Sequence, residues 1–161
     1  MKRLLLLLLV GCGSGAPVPT QPGAPEPRLL SETQALLAMR EALREAGAIA
    51  ESAAVLTLEG APLQADVRFG EPTFAIEWAG TDDRAHRDLP AATPDSPLRI
   101  VSATDGKRAI QVLVLDERAY GYEGNSLLVQ RGAPSLDDAE RRVRRDVTDF
   151  VEYARDQGAQ L

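Results

Sequence analysis

The sequence predicts an α+β fold: an antiparallel meander sheet of about six strands, flanked by an N-terminal helix and a long C-terminal helix. Three observations predict it. Apolar residues recur at helical spacing from Leu36 to Ala46, alternate with polar ones in short runs between Val55 and Gln130, and return to helical spacing from Leu136 to Ala154. With 161 residues, 44% of them hydrophobic, the chain has material for one domain with a core.

The first helix opens at Ser31, which with Gln34 fits a capping box. Leu36, Met39, Leu43 and Ala46 then line one face, Glu41, Arg44 and Glu45 the other, and Gly47 offers a stop. A strand at 55–58 ends at the Gly60, Ala61, Pro62 turn. Leu63, Ala65, Val67 and Phe69 alternate with Gln64, Asp66 and Arg68 and read as one strand. Gly70, Glu71 and Pro72 turn the chain, and Phe74, Ile76 and Trp78 alternate with Thr73, Ala75 and Glu77. After an insertion at 80–97, further strands are expected at 98–102, 109–115, 119–122 and 127–130, with turns at Asp105 and Gly106, Asp116 and Glu117, and Gly124 and Asn125.

In the last helix Leu136, Ala139, Val143, Val147, Phe150 and Ala154 stay on one face for about six turns. Asp137 and Asp138 favour the dipole of its first turn, and Gly158 supplies its end. On the solvent side the spacing pairs Asp137 with Arg141, Asp138 with Arg142, Glu140 with Arg144 and Arg145 with Asp149. Both helices are expected to cover one sheet face.

Charge excludes some functions. There are 18 Lys+Arg against 24 Asp+Glu, a net −6, and phosphate backbones are bound by a clustered basic face, so no nucleic-acid partner is expected. The single cysteine, Cys12, excludes an internal disulfide framework and a multi-cysteine zinc site.

The first residues carry the strongest functional signal. Lys2 and Arg3 precede an unbroken apolar run from Leu4 to Val10, followed by Gly11 and Cys12. The run is far too short to span a bilayer, at about 10 Å as a helix against a hydrocarbon core of roughly 30 Å. The order Leu9, Val10, Gly11, Cys12 resembles the lipobox of bacterial lipoproteins. That resemblance implies a diacylglyceryl group on the Cys12 thiol, cleavage just before it, and a signal peptide at 1–11. It also implies a lipid-anchored protein of the cell envelope, attached to the membrane through its N-terminal acyl chains. With Gly13 after the cysteine rather than an aspartate, it implies the outer membrane, facing the periplasm or the surface, if the source is Gram-negative. Removing the leader takes two of the 18 basic residues and leaves 16 against 24 acidic ones, a net −8. Such a domain is repelled by anionic lipid, so the acyl chains rather than the folded surface are expected to hold it.

Residues 12–30 comprise that cysteine and a tether rich in Pro and Gly, with Pro17, Pro19, Pro22, Pro25 and Pro27. Extended at about 3.1 Å per residue, the stretch 13–28 reaches at most roughly 50 Å. A single α+β domain is expected over 31–161.

Chemistry has few candidates. Asp82, Asp83, His86 and Asp88 in the insertion combine carboxylates, which suit calcium or magnesium, with an imidazole, which suits zinc. Their spacing fits neither an EF-hand nor a helical zinc pair, and Arg84 and Arg87 oppose a cation. The plainer reading is a short surface helix capped by Thr81, with no metal and no cofactor. No serine sits in a nucleophile elbow. Asp66 and Glu77, on neighbouring strands, form a carboxylate pair of the kind used in glycoside hydrolysis, but alternation puts both on a solvent face. Trp78, Tyr120 and Tyr122 are candidate partner-binding aromatics, the two tyrosines sharing one strand face. Arg141, Arg142, Arg144 and Arg145 form a basic run that neighbouring acids largely cancel.

The resulting expectation is a non-enzymatic binding or accessory module of the cell envelope, with an envelope protein as partner. The alternative is a metal-dependent or hydrolytic envelope enzyme using the insertion at 80–97.

Overall fold

A single residue, Asp66, separates two strands that lie at opposite ends of one sheet. The computed structural model describes residues 27–86 and 99–161. Helix α1 (Glu32–Glu45) leads to β1 (Ala54–Leu58), β2 (Ala61–Ala65), β3 (Val67–Phe69) and β4 (Phe74–Ala79). Then come α2 (Thr81–His86), the hairpin of β5 (Arg99–Asp105) and β6 (Arg108–Asp116), a 3-10 helix (Glu117–Tyr120), α3 (Ser126–Val129) and α4 (Leu136–Asp156). The strand order is β2-β1-β5-β6-β4-β3. The fold is α+β, with a six-stranded sheet and a long C-terminal helix, as the sequence predicts.

The sheet is mixed, not an antiparallel meander. Strand β4 runs parallel to β6, pairing Phe74 with Gln111 through to Ala79 with Asp116, while the other pairs are antiparallel. A meander needs β4 to turn tightly into the next strand. The connection from residue 80 to 98 releases that constraint, since parallel neighbours require a crossover of a dozen or more residues. Strand β5 pairs with β1 instead, and its hairpin returns β6 alongside β4.

The alternating run from Leu63 to Phe69 is two strands rather than one. Up to Ala65 it pairs with β1; from Val67 it pairs with β4. The bend divides a single stripe of apolar residues between two cores. Leu63 and Ala65 join Leu56, Ala75, Ala103, Ile110, Val112 and Val114 inside the curl of the sheet. Val67 and Phe69 turn to the other face, where they meet Phe74, Ile76, Leu113 and both long helices. That second layer is the main core. Phe150 of α4 sits edge-on to Phe69 at 5.8 Å and to Phe74 at 5.9 Å, and stacks with Tyr153 at 5.9 Å.

Both helices start where the sequence predicts. Ser31 and Gln34 form the capping box of α1, with Gln34 N–H donating to Ser31 Oγ and Ser31 N–H to Gln34 Oε1 at 3.0 Å. A second capping box, Ser135 with Asp138, opens α4: Asp138 N–H donates to Ser135 Oγ at 3.2 Å and Ser135 N–H to Asp138 Oδ2 at 2.9 Å. On α4, Ala139, Val143, Val147, Phe150 and Ala154 are all fully buried.

The strands expected at 119–122 and 127–130 are instead the 3-10 helix and one turn of helix. In each case a side chain captures a backbone donor at the start. Asp116 Oδ1 accepts from Arg118 N–H at 2.9 Å, and Asn125 Oδ1 from Leu127 N–H at 3.0 Å. Such local bonds satisfy the backbone without a strand partner.

The packed part begins ahead of residue 31. Leu30 is buried, and Arg28 and Tyr122 exchange two backbone hydrogen bonds of 2.8 Å. Gly121 lies against Pro27 there, so close that a Cβ would come within 3.2 Å of the proline ring.

Candidate functional site

The corner at Asp66 creates a cleft. Asp66 N–H still donates to Ile76 O at 2.9 Å, but on its β2 side, from Ala65 back, the main chain pairs with β1 and not with β4. The side chain takes over: Asp66 Oδ2 accepts the Trp78 backbone N–H at 2.6 Å. The corner, the first turn of α1, the start of α2 and the 3-10 helix enclose a cavity of about 450 Å³. Six carboxylates line it: Glu32, Asp66, Glu77, Asp82, Asp83 and Glu117.

Burial pushes the Asp66 carboxyl up to about 6, against the opposing pull of the Trp78 N–H, and the negative charges of Glu32 and Asp83 push the same way. Glu77 is 2% exposed, at the inner end of the cleft. Two of the acids are tied to the walls. Asp83 Oδ2 accepts the Gly80 N–H at 3.0 Å, which caps α2 from within, and Glu117 Oε1 accepts the Thr81 hydroxyl at 2.5 Å. Thr81 therefore bridges α2 to the 3-10 helix instead of capping α2.

Asp66 and Glu77 do not face open solvent, as alternation alone would have them. The curl of the sheet covers that face, so both side chains enter the cleft. Glu32 and Glu117 join them from elements far apart in the chain, and no spacing in the sequence signals it.

The candidate metal ligands divide. Asp82 and Asp83 line the cleft; His86 ends α2, its side chain outside the described residues, and Asp88 lies outside them altogether. Among the described residues no group of three or more His, Cys, Asp or Glu side chains is arranged to hold a metal. Cys12 also lies outside the described residues.

The candidate aromatics are placed unequally. Trp78 and Tyr120 are each 4% exposed, with ring centroids 5.4 Å apart. The Tyr120 hydroxyl donates to Asp146 Oδ2 at 2.8 Å, and burial with the adjacent Asp146 charge raises this phenol far above its usual range. Tyr122 is half-buried and lies past the end of the 3-10 helix, so the two tyrosines share no strand face.

The arginine run is engaged within the fold. Arg142 donates to the carbonyls of Ala119 and Gly121, each at 2.8 Å, with its guanidinium 5.9 Å from the Tyr120 ring centre. Arg141 pairs with Asp138, Arg145 with Asp146, and Arg144 with both Glu41 and Glu140. Only Glu140 with Arg144 follows the pairing expected from spacing. The other arginines turn to nearer carboxylates or to the 3-10 helix.

No family model, curated protein or solved structure matches the chain. Among the described residues no helix is long and apolar enough to cross a membrane.

Proposed function

We propose that this chain is a lipid-anchored cell-envelope protein whose domain serves as a non-enzymatic binding or accessory module. The observation that carries the reading is the succession of Lys2 and Arg3, the apolar run, Leu9 to Cys12, and the proline-rich tether. Acylation of Cys12 attaches the chain to the membrane, and the tether holds an acidic domain clear of the headgroups. The Arg28 and Tyr122 bridge supports this reading by giving the tether a defined point of entry. An outer-membrane position and an envelope protein partner complete the proposal.

The test is metabolic labelling with palmitate in a bacterial host. Wild type takes up label and fractionates with membranes, and Cys12→Ser does neither; a Cys12→Ser chain that keeps both overturns the anchor. Crosslinking in intact envelopes tests the module, and recovery of the chain alone counts against it.

One observation favours a hydrolytic second reading: Asp66, its carboxyl raised to about 6, shares a cleft with Glu77, and acids with displaced pKa values are common in active sites. Unchanged turnover of glycoside and ester substrates in Asp66→Asn relative to wild type removes it.

A further inference from the structure

A groove of about 690 Å³ lies between the turn at 132–134 and the outer face of α4. Arg141, Arg142 and Arg145 line it from the helix, Gly132 and Pro134 from the turn, and among the described lining residues Asp138 is the one acid. A space of that size suits a small ligand. Arg142 differs from its neighbours. Its Nη1 and Nη2 donate to the carbonyls of Ala119 and Gly121, and its guanidinium lies 5.9 Å from the Tyr120 ring centre, so it is held in place with no carboxylate partner among the described residues. Arg141 and Arg145 do pair with acids, Asp138 and Asp146, but both arginine side chains are about two-thirds exposed, where an ion pair contributes little. Each of those acids also keeps another donor. Asp138 Oδ2 accepts the Ser135 N–H and hydroxyl, and Asp146 Oδ2 accepts the Tyr120 hydroxyl. Both arginines can therefore swing to an incoming anion without stranding a carboxylate.

We propose that this groove binds a phosphomonoester, with Arg142 as the fixed contact and Arg141 and Arg145 as the two that turn onto the phosphate. The choice of phosphate over carboxylate follows from exchange. A carboxylate would replace Asp138 or Asp146 like for like and gain nothing. A phosphomonoester carries about −1.5 to −2 charge at neutral pH and three strong acceptor oxygens, which the guanidinium forks match. The organic part of the ester lies towards Pro134 and Gly132, where a Cβ on the glycine would meet no atom within 4 Å. The site is independent of the anchor at Cys12, so its failure leaves that reading standing.

The test titrates glycerol phosphate into the full chain carrying Cys12→Ser, so that no acyl group contributes, and follows the backbone amide resonances. Salt of about 0.1 M screens charges more than about 10 Å away. The amides of residues 132–145 are expected to shift along one saturating curve. Arg141→Gln and Arg145→Gln, at exposed positions, are each expected to weaken the affinity about tenfold. Arg142→Lys keeps the charge and loses the fork, and is expected to weaken it further; the two exposed variants carry the test if this one disturbs the 3-10 helix. Arg44→Gln, which removes an exposed cation paired with Glu45 on α1, is expected to leave the affinity unchanged. Displacement of the ester by phosphatidylcholine vesicles containing phosphatidic acid assigns the phosphate to a lipid headgroup, and its absence assigns it to a soluble ester. Shifts that do not saturate by about 10 mM ester, tenfold above a dissociation constant of about 1 mM, overturn the proposal. So does acetate binding as tightly as the ester, or an affinity unchanged in both Arg141→Gln and Arg145→Gln.

Discussion

The Tyr120 hydroxyl donates to Asp146 Oδ2 at 2.8 Å and so fastens the 3-10 helix to the middle of α4. Arg145 holds the other oxygen of Asp146, and Arg142 lies beside the Tyr120 ring. Tyr120→Phe keeps the packing against Trp78 and loses only the hydrogen bond, so it is expected to cost about 1–2 kcal/mol. Urea denaturation of Tyr120→Phe, Asp146→Asn and the double variant measures the coupling. Strictly additive single effects count against the bond as the source of the loss.

Phe150 joins the aromatic rings of β3, β4 and α4 in one cluster. Phe150→Ala leaves a cavity between the sheet and α4 and is expected to cost about 3–5 kcal/mol. Phe150→Leu is expected to cost less, because more of the volume stays filled. Chemical denaturation orders the two, and equal losses contradict a packing origin.

Asp138 and Asp66 respond to acid in opposite directions. The Ser135 backbone N–H and hydroxyl, with Arg141, hold the Asp138 carboxyl down to about 2 from an ordinary 3.8. A depressed value means stability that is present above 3.8 and lost as pH falls through 2. Asp66, raised to about 6, contributes stability that is full below 3.8 and lost as pH rises through 6. Melting temperature against pH is therefore expected to keep its alkaline slope and lose part of its acid slope in Asp138→Asn, with the reverse in Asp66→Asn. Identical profiles in the two variants contradict the assignment.

Gly70 adopts a φ of 75°, and a Cβ there would come within 3.3 Å of Gln160 O, the acceptor of the Glu71 N–H. Gly70→Ala thus meets both backbone strain and a tight contact with Gln160 O, which must give by a few tenths of an ångström. The expected cost is about 1–2 kcal/mol. Hydrogen exchange at Gln160, which donates back to Glu71 at 2.9 Å, is expected to rise in this variant. Unaltered exchange there counts against the contact.

The long helices are legible in the sequence because their signals are local. Ser31 with Gln34 and the six-turn stripe of α4 need no knowledge of distant partners. The parallel pairing of β4 with β6 is not legible, since alternation identifies a strand and its faces but not its neighbour. Asp66 is the clearest case of a signal that reads correctly and yet misleads. It occupies the polar phase of the run from Leu63 to Phe69, as a solvent-facing residue would, and only its bond to Trp78, 12 residues on, marks the bend. Glu77 misleads for a related reason: polarity in one phase implies solvent only when that face of the sheet stays open. Asp116 and Asn125 are legible as turn residues, but not as the start of helical turns.

The two backbone bonds between Arg28 and Tyr122 have a mechanical consequence. A load arriving from residues before Pro27 falls first on this antiparallel pair, ahead of α1. The pair is backed by Arg142, which grips the carbonyls of Ala119 and Gly121 from α4. Tension is thereby passed to the longest helix of the molecule, and the Ser31 capping box that begins α1 is spared until the pair has parted.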